Sequence, residues 1–198
     1  MKYFLFCLIG YAVLYTVVWL HEVGHSVFDC KYGVKQTAWF KVNVKPYIFF
    51  STPGDLDVDA WQKLKTSQYL VVAYAGVAAN AIWAVIAGAV IATVEINNVY
   101  LLLALWLFLT LHTGEIFSYL LVGSIYTVSD MAIVAQVKPG LRLPNIAFGA
   151  VLAAVYVFLL IKTPCEIRTF VIVENVFTVV SMCLGRIIFS VRAKKNED

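Results

Sequence analysis

Charge is what this sequence has least of. Asp, Glu, Lys and Arg make up 14% of its 198 residues while 62% are apolar, and the mean hydropathy is +0.83. Soluble domains carry about a quarter of their residues as charges. No soluble domain of useful size therefore fits outside the apolar segments, and the composition is that of a polytopic membrane protein. A net charge of +3 is too small for a nucleic-acid surface and reads better as a set of topology signals. Cysteine is sparse as well. Cys7, Cys30, Cys165 and Cys183 form no C-x-x-C pair and lie in or beside apolar runs, so neither a disulfide framework nor a cysteine zinc site is indicated. The N-terminal apolar run lacks a small-residue cleavage site, so it is expected to be retained rather than removed as a signal peptide.

What little ionisable chemistry exists is concentrated. Two of the three His fall four residues apart in His21-Glu22-Val23-Gly24-His25, inside the apolar run Tyr3–Phe28. On a helix that spacing projects both imidazoles from one face. This is the H-E-x-x-H arrangement, in which two His ligate Zn²⁺ and the Glu acts as general base. Ionisable side chains inside a bilayer are costly and point to function; packing helices together is the plainer role for such a cluster.

Along the chain, Tyr3–Phe28 is the first expected span, with Gly33 placed to end the helix. Trp39–Phe50 then alternates, with Phe40, Val42 and Val44 against Lys41, Asn43 and Lys45. That period predicts a small membrane-associated β element, limited by Pro46. Asp55, Asp57 and Asp59 suit a solvated loop and helix start, and Trp61, Lys63 and Lys65 an interfacial helix. Gln68–Val94 is the second span, with a small-residue face of Gly76, Ala78, Ala79, Ala84 and Gly88 around Asn80. Val99–Val137 is too long for one straight crossing and short for two, with possible breaks at Gly114 and Gly123. Ile146–Ile161 and Phe170–Phe189 complete the spans, and Glu174-Asn175 in the last one is expected to make a helix contact.

The basic residues arbitrate between five crossings and six. If Val99–Val137 makes one net crossing with a broken or re-entrant part, twelve of the fifteen Lys and Arg share one side, and only Lys2, Lys162 and Arg168 fall opposite. The fold expected is therefore all-α, a single unit over residues 1–198. It has about five spans, an outside N-terminus and a cytosolic C-terminus. Its core covers about residues 3–142, with extra helices at about 145–190.

A catalytic zinc site usually takes three protein ligands. Counting depth from the Lys138 interface puts Asp130 level with His21 and His25. His112 and Glu115 are the rivals, expected too far outward unless a break at Gly123 folds the chain back.

Leu20-His21-Glu22-Val23-Gly24-His25-Ser26, continuing to Lys31-Tyr32-Gly33-Val34, resembles the first motif of the site-2 protease family of intramembrane zinc metalloproteases. Ala75-Gly76-Val77-Ala78-Ala79-Asn80 is similar to the family's second motif, with Val77 where Pro is usual. Ser129-Asp130-Met131 falls where the family has an L-D-G-type motif, without the Gly. The resemblance covers roughly residues 11–142. It implies Zn²⁺ on His21, His25 and Asp130, a general base at Glu22, and a multi-pass membrane enzyme, in the cell membrane if prokaryotic. Asn80, if it reaches the site, could hold the substrate backbone or steady the oxyanion. The expected partner is a transmembrane or membrane-proximal peptide, cut near the cytosolic side and added as a strand to the Trp39–Phe50 edge. The alternatives are a non-proteolytic membrane scaffold that retains the metal site, and a metal or proton transporter. Oligomeric state is open.

Overall fold

The computed structural model describes residues 2–45, 51–125 and 129–195. Helix α1 runs Lys2–Lys31 without interruption. It stops where Gly33 takes a φ of 76°, with the amides of Gly33 and Val34 returning to the carbonyls of Cys30 and Asp29 at 3.1 and 2.8 Å. A glycine enters that left-handed conformation freely, whereas a residue with a Cβ resists it. A short helix α2, Val58–Gln62, is capped by Asp57, and α3 spans Thr66–Thr93. Helix α4, Val99–Phe117, is capped by Asn98 and loosens into a π-helical turn at Ser118–Gly123. Helix α5 is Asp130–Val137, followed by a 3-10 turn at Pro139–Leu141, α6 at Arg142–Lys162 and α7 at Cys165–Lys195.

Five of these helical stretches are long and apolar enough to cross a membrane: Lys2–Lys31, Thr66–Thr93, Val99–Gly123, Pro139–Lys162 and Cys165–Gly185. The awkward 99–137 segment thus contributes one span and a separate short helix.

The β element is reduced. Among the described residues there is no strand, only an isolated antiparallel pairing of Asn43 with Thr52, bonded both ways at 3.0 Å. Residues 46–50 of the expected run lie outside the described residues. Lys41 at φ 60° breaks the extended backbone before a ladder can build, and Gly54 and Asp55 turn back at φ 68° and 41°. The segment is anchored instead by side chains. Lys35 is buried and donates to Ser26 Oγ at 3.0 Å and to the Pro53 carbonyl, and its burial holds the ammonium below the ordinary lysine range. The Lys41–Asp55 pair, 2.7 Å apart, is exposed on both sides and adds little.

Helices α1, α3 and α4 pack on one another, while α6 and α7 both pack on α4. Phe6, Leu14, Val17, Leu103, Leu107 and Ile167 fill the main core. Helix α7 is also tied in by polar contacts: Asn175 donates to Thr110 Oγ1 at 2.9 Å, and the Tyr156 hydroxyl donates to Asn175 Oδ1 at 3.2 Å. In lipid such bonds hold helices together where the hydrophobic effect does not.

Helices α1 and α3 cross in close contact. A Cβ at Gly24 would lie 2.7 Å from the Ala75 carbonyl oxygen and 2.8 Å from Ala79 Cβ, so Gly24 lets the two backbones meet. Gly24→Ala is expected to force the helices apart and to cost about 1–3 kcal/mol, despite alanine's better helix propensity. Thermal unfolding in detergent checks this; an unchanged melting temperature would mean that the crossing can yield.

Candidate metal centre

Two helices deliver three donor atoms to a single point. His21 and His25 project from the same face of α1, one turn apart, and both are buried. Asp130 arrives from the first turn of α5. Ser129 starts that helix, accepting from the Ala132 amide at 3.1 Å and donating to the Gly123 carbonyl at 2.6 Å. Met131 and Val134, both 0% exposed, lock α5 against Ala73 and Val77 of α3 and Ile116 and Leu120 near the end of α4. Arg142 secures the preceding connection by donating to the Ser124 carbonyl at 2.9 Å. Sequence-local capping thus sets where Asp130 begins, and apolar packing sets where it points.

The three donor atoms form a nearly equilateral triangle. His21 Nε2 and His25 Nε2 are 3.1 Å apart, and Asp130 Oδ2 is 3.4 Å from the first and 3.3 Å from the second. Donors around a tetrahedral zinc, at ordinary Zn–N and Zn–O lengths, are separated by roughly 3.3 Å. Two imidazole nitrogens and a carboxylate oxygen are also the donor set of a catalytic zinc that keeps a position open. The residues fit the metal both in chemistry and in spacing.

Each imidazole is held from behind. His25 Nδ1 donates to the Val72 carbonyl at 2.7 Å, which leaves its Nε2 as a lone pair directed at the triangle. His21 Nδ1 faces Asn80 Nδ2 at 2.9 Å, and Asn80 Oδ1 in turn faces His112 Nδ1 at 2.8 Å. Both polar ends of the Asn80 amide are therefore occupied by imidazoles. A substrate-holding role would require it to release one of them. The His21 ring also stacks on Tyr119, with centroids 4.5 Å apart and planes 18° off parallel.

Glu22 is 5% exposed and lines a small cavity of about 40 Å³ with Val18, His21, Ser51, Glu115, Tyr119 and Met182. Such a volume holds water and excludes a peptide.

His112 and Glu115 are not displaced outward, contrary to the depth count. That count took Lys138 as the end of a continuous segment, whereas the helical stretch that holds them ends with the π turn at Gly123, the break the reading had allowed for, and α5 is a separate helix. Measured from Gly123, His112 lies about 16 Å up its helix, and His21 lies about 15 Å up from Lys31. The two are level. Even so, the structure brings neither rival into the donor triangle: His112 bonds to Asn80, and Glu115 lines the cavity.

Two participants escaped the sequence reading, and a third, Gly76, was named there without its contact to the ligands. The Val72 carbonyl carries no side-chain signal at all. Tyr119 follows His112 by seven residues and Glu115 by four, which places all three on one helical face. Gly76 belongs to the small-residue face of α3, yet its neighbours are the metal ligands themselves: a Cβ there would lie 2.6 Å from both Cε1 and Nε2 of His21 and closer still to His25 Nε2. Gly24, by contrast, serves the helix crossing and not the space around the metal.

No curated protein and no solved structure matches this chain. A family model, that of peptidase family M50, matches residues 9–195, which takes in the histidine pair, Gly76, Asn80, Asp130 and all of α6. On a match that spans nearly its whole length, the chain belongs to peptidase family M50, the site-2 protease family.

Proposed function

We propose that this protein is an intramembrane zinc metalloprotease. It hydrolyses peptide bonds of transmembrane or membrane-proximal substrates near the cytosolic side of the bilayer. The observation that carries this reading is the triangle of His21, His25 and Asp130 with Glu22 on the wall of an adjoining water-sized cavity.

Zinc held there would polarise the scissile carbonyl and bring a bound water towards neutrality in its acid strength. With the metal in place, Glu22 would act as the general base, taking a proton from the attacking water and delivering it to the leaving amine nitrogen. His21 and His25 stay fixed by Asn80 and Val72 while this happens, and burial keeps bulk water from competing for the hydrogen bonds.

The rival readings are less well supported. A scaffold that kept a structural metal would have no use for a carboxylate beside it. A transporter needs polar stations spread through the membrane, whereas the buried histidines, Asn80, Glu115 and Asp130 gather at one level.

The reading is tested with purified protein in lipid nanodiscs and a single-span model peptide. Cleavage is expected to stop on removal of metal by a chelator and to return with Zn²⁺, and Asp130→Ala is expected to lower bound zinc well below one per chain. Metal-stripped protein that cleaves at the original rate would rule the reading out.

A further inference from the structure

The buried file from His21 through Asn80 to His112 crosses three helices and is 1%, 0% and 0% exposed at its three members. It has a property that depends only on counting protons. A neutral imidazole carries one proton on its two nitrogens. An amide nitrogen only donates, so where Asn80 Nδ2 faces His21 Nδ1 at 2.9 Å, that nitrogen accepts and the His21 proton sits on Nε2. Nε2 then points its N–H into the donor triangle, towards Asp130 Oδ2 at 3.4 Å and the bare Nε2 of His25 at 3.1 Å. At the other end, Asn80 Oδ1 accepts from His112 Nδ1 at 2.8 Å. In this arrangement a proton occupies the place a metal would take.

Metal binding through His21 Nε2 requires the opposite tautomer. The proton must lie on Nδ1, and Asn80 must present its oxygen to it. Half a turn of the amide achieves this, and Asn80 Nδ2 then faces His112 Nδ1. That nitrogen can accept only if the His112 proton is on Nε2. His112 Nε2 has no hydrogen-bond partner among the described residues, so it can carry either a lone pair or a proton without breaking another bond. Three neutral groups thus switch together, with no proton gained or lost by the file.

We propose that His112 is a positioning residue of the metal centre, keeping the Asn80 amide paired when its oxygen turns to the His21 Nδ1 proton and so supporting the tautomer that frees His21 Nε2 for metal. This rests on the zinc reading above. It adds to that reading a control exerted from a helix that supplies no ligand. His112 touches neither the metal nor the cavity; its part is to accept the Asn80 N–H when Asn80 turns its oxygen towards His21.

The test is a double-mutant cycle read by zinc affinity, using competition with a chromophoric chelator on protein in detergent. His112→Leu leaves one end of the Asn80 amide unpaired and is expected to weaken zinc binding by about 10- to 100-fold, the range seen when partners behind a metal ligand are lost. Asn80→Asp presents only acceptors, which fixes the proton on His21 Nδ1 whatever stands at position 112. In that background the same His112→Leu change is expected to alter zinc affinity less than threefold. His112→Gln keeps an acceptor for Asn80 and is expected to bind zinc within about threefold of the parent protein. It carries the comparison if the leucine variant does not fold. Cobalt(II) substitution adds a spectroscopic check, since the visible bands should keep their energies in every variant that loads. Equal weakening by His112→Leu in both backgrounds would overturn the proposal, because it would mark a packing role. Undiminished affinity in the single variant would do the same. Absence of zinc from the parent protein is a different result, and would remove the protease reading instead.

Discussion

Glu22→Gln is expected to lower the rate of peptide hydrolysis by about a hundred- to ten-thousand-fold, the usual worth of a positioned general base, while zinc stays at one per chain. The split follows from the site's layout. Glu22 is not one of the three donors that lie within 3.4 Å of each other, and glutamine keeps its shape and volume on the cavity wall. What is lost is the capacity to take a proton from water. The two readouts are initial rate on a single-span peptide in nanodiscs and zinc content by elemental analysis. Full activity in the variant would remove Glu22 from the mechanism. Loss of zinc together with activity would make it a structural part of the centre.

Gly76→Ala should give the reverse pattern, a loss of metal without the loss of any ligand. The added methyl would lie 2.6 Å from the Nε2 atom of His21 and nearer still to that of His25, where the donors converge. Either one ring rotates away or α1 and α3 move apart, and both draw donors off their common point. We expect zinc affinity to fall at least about 100-fold, some 2.8 kcal/mol at a factor of ten per 1.4 kcal/mol. The metal-free protein should melt near the parent temperature, since alanine in a helix gains about 0.5–1 kcal/mol over glycine against the strain. Zinc titration with paired melts, with and without metal, reads both quantities. Parental affinity would show that the ligands have slack.

How far these features could be read in the sequence depends on whether they are local or azimuthal. The helix stop at Gly33, the helix start among Asp55, Asp57 and Asp59, and the existence of five apolar spans follow from residues close in the chain and were legible there. The strand was not. Alternation from Trp39 to Val44 signals an amphipathic surface, but it carries no partner, and one left-handed residue at Lys41 suffices to stop a ladder. Depth counting singled out Asp130, and it also sent His112 and Glu115 outward. The ruler assumed one axis for 99–137, whereas the turn at Gly123 gives α4 and α5 separate origins. Gly76 shows the remaining limit. Composition marks it as a packing glycine, and only the rotation of α3 about its own axis decides that it packs against ligands.

The cavity beside Glu22, about 40 Å³ in volume, has a kinetic meaning under the proposed reaction. The space admits a water and not a peptide, so under that reaction the residues lining it must move for a substrate to reach the donors. Admission of substrate would then be a step of its own beside bond cleavage. Turnover limited by that step would answer to whatever stiffens or thins the surrounding bilayer. Acyl-chain length becomes a rate variable alongside substrate sequence.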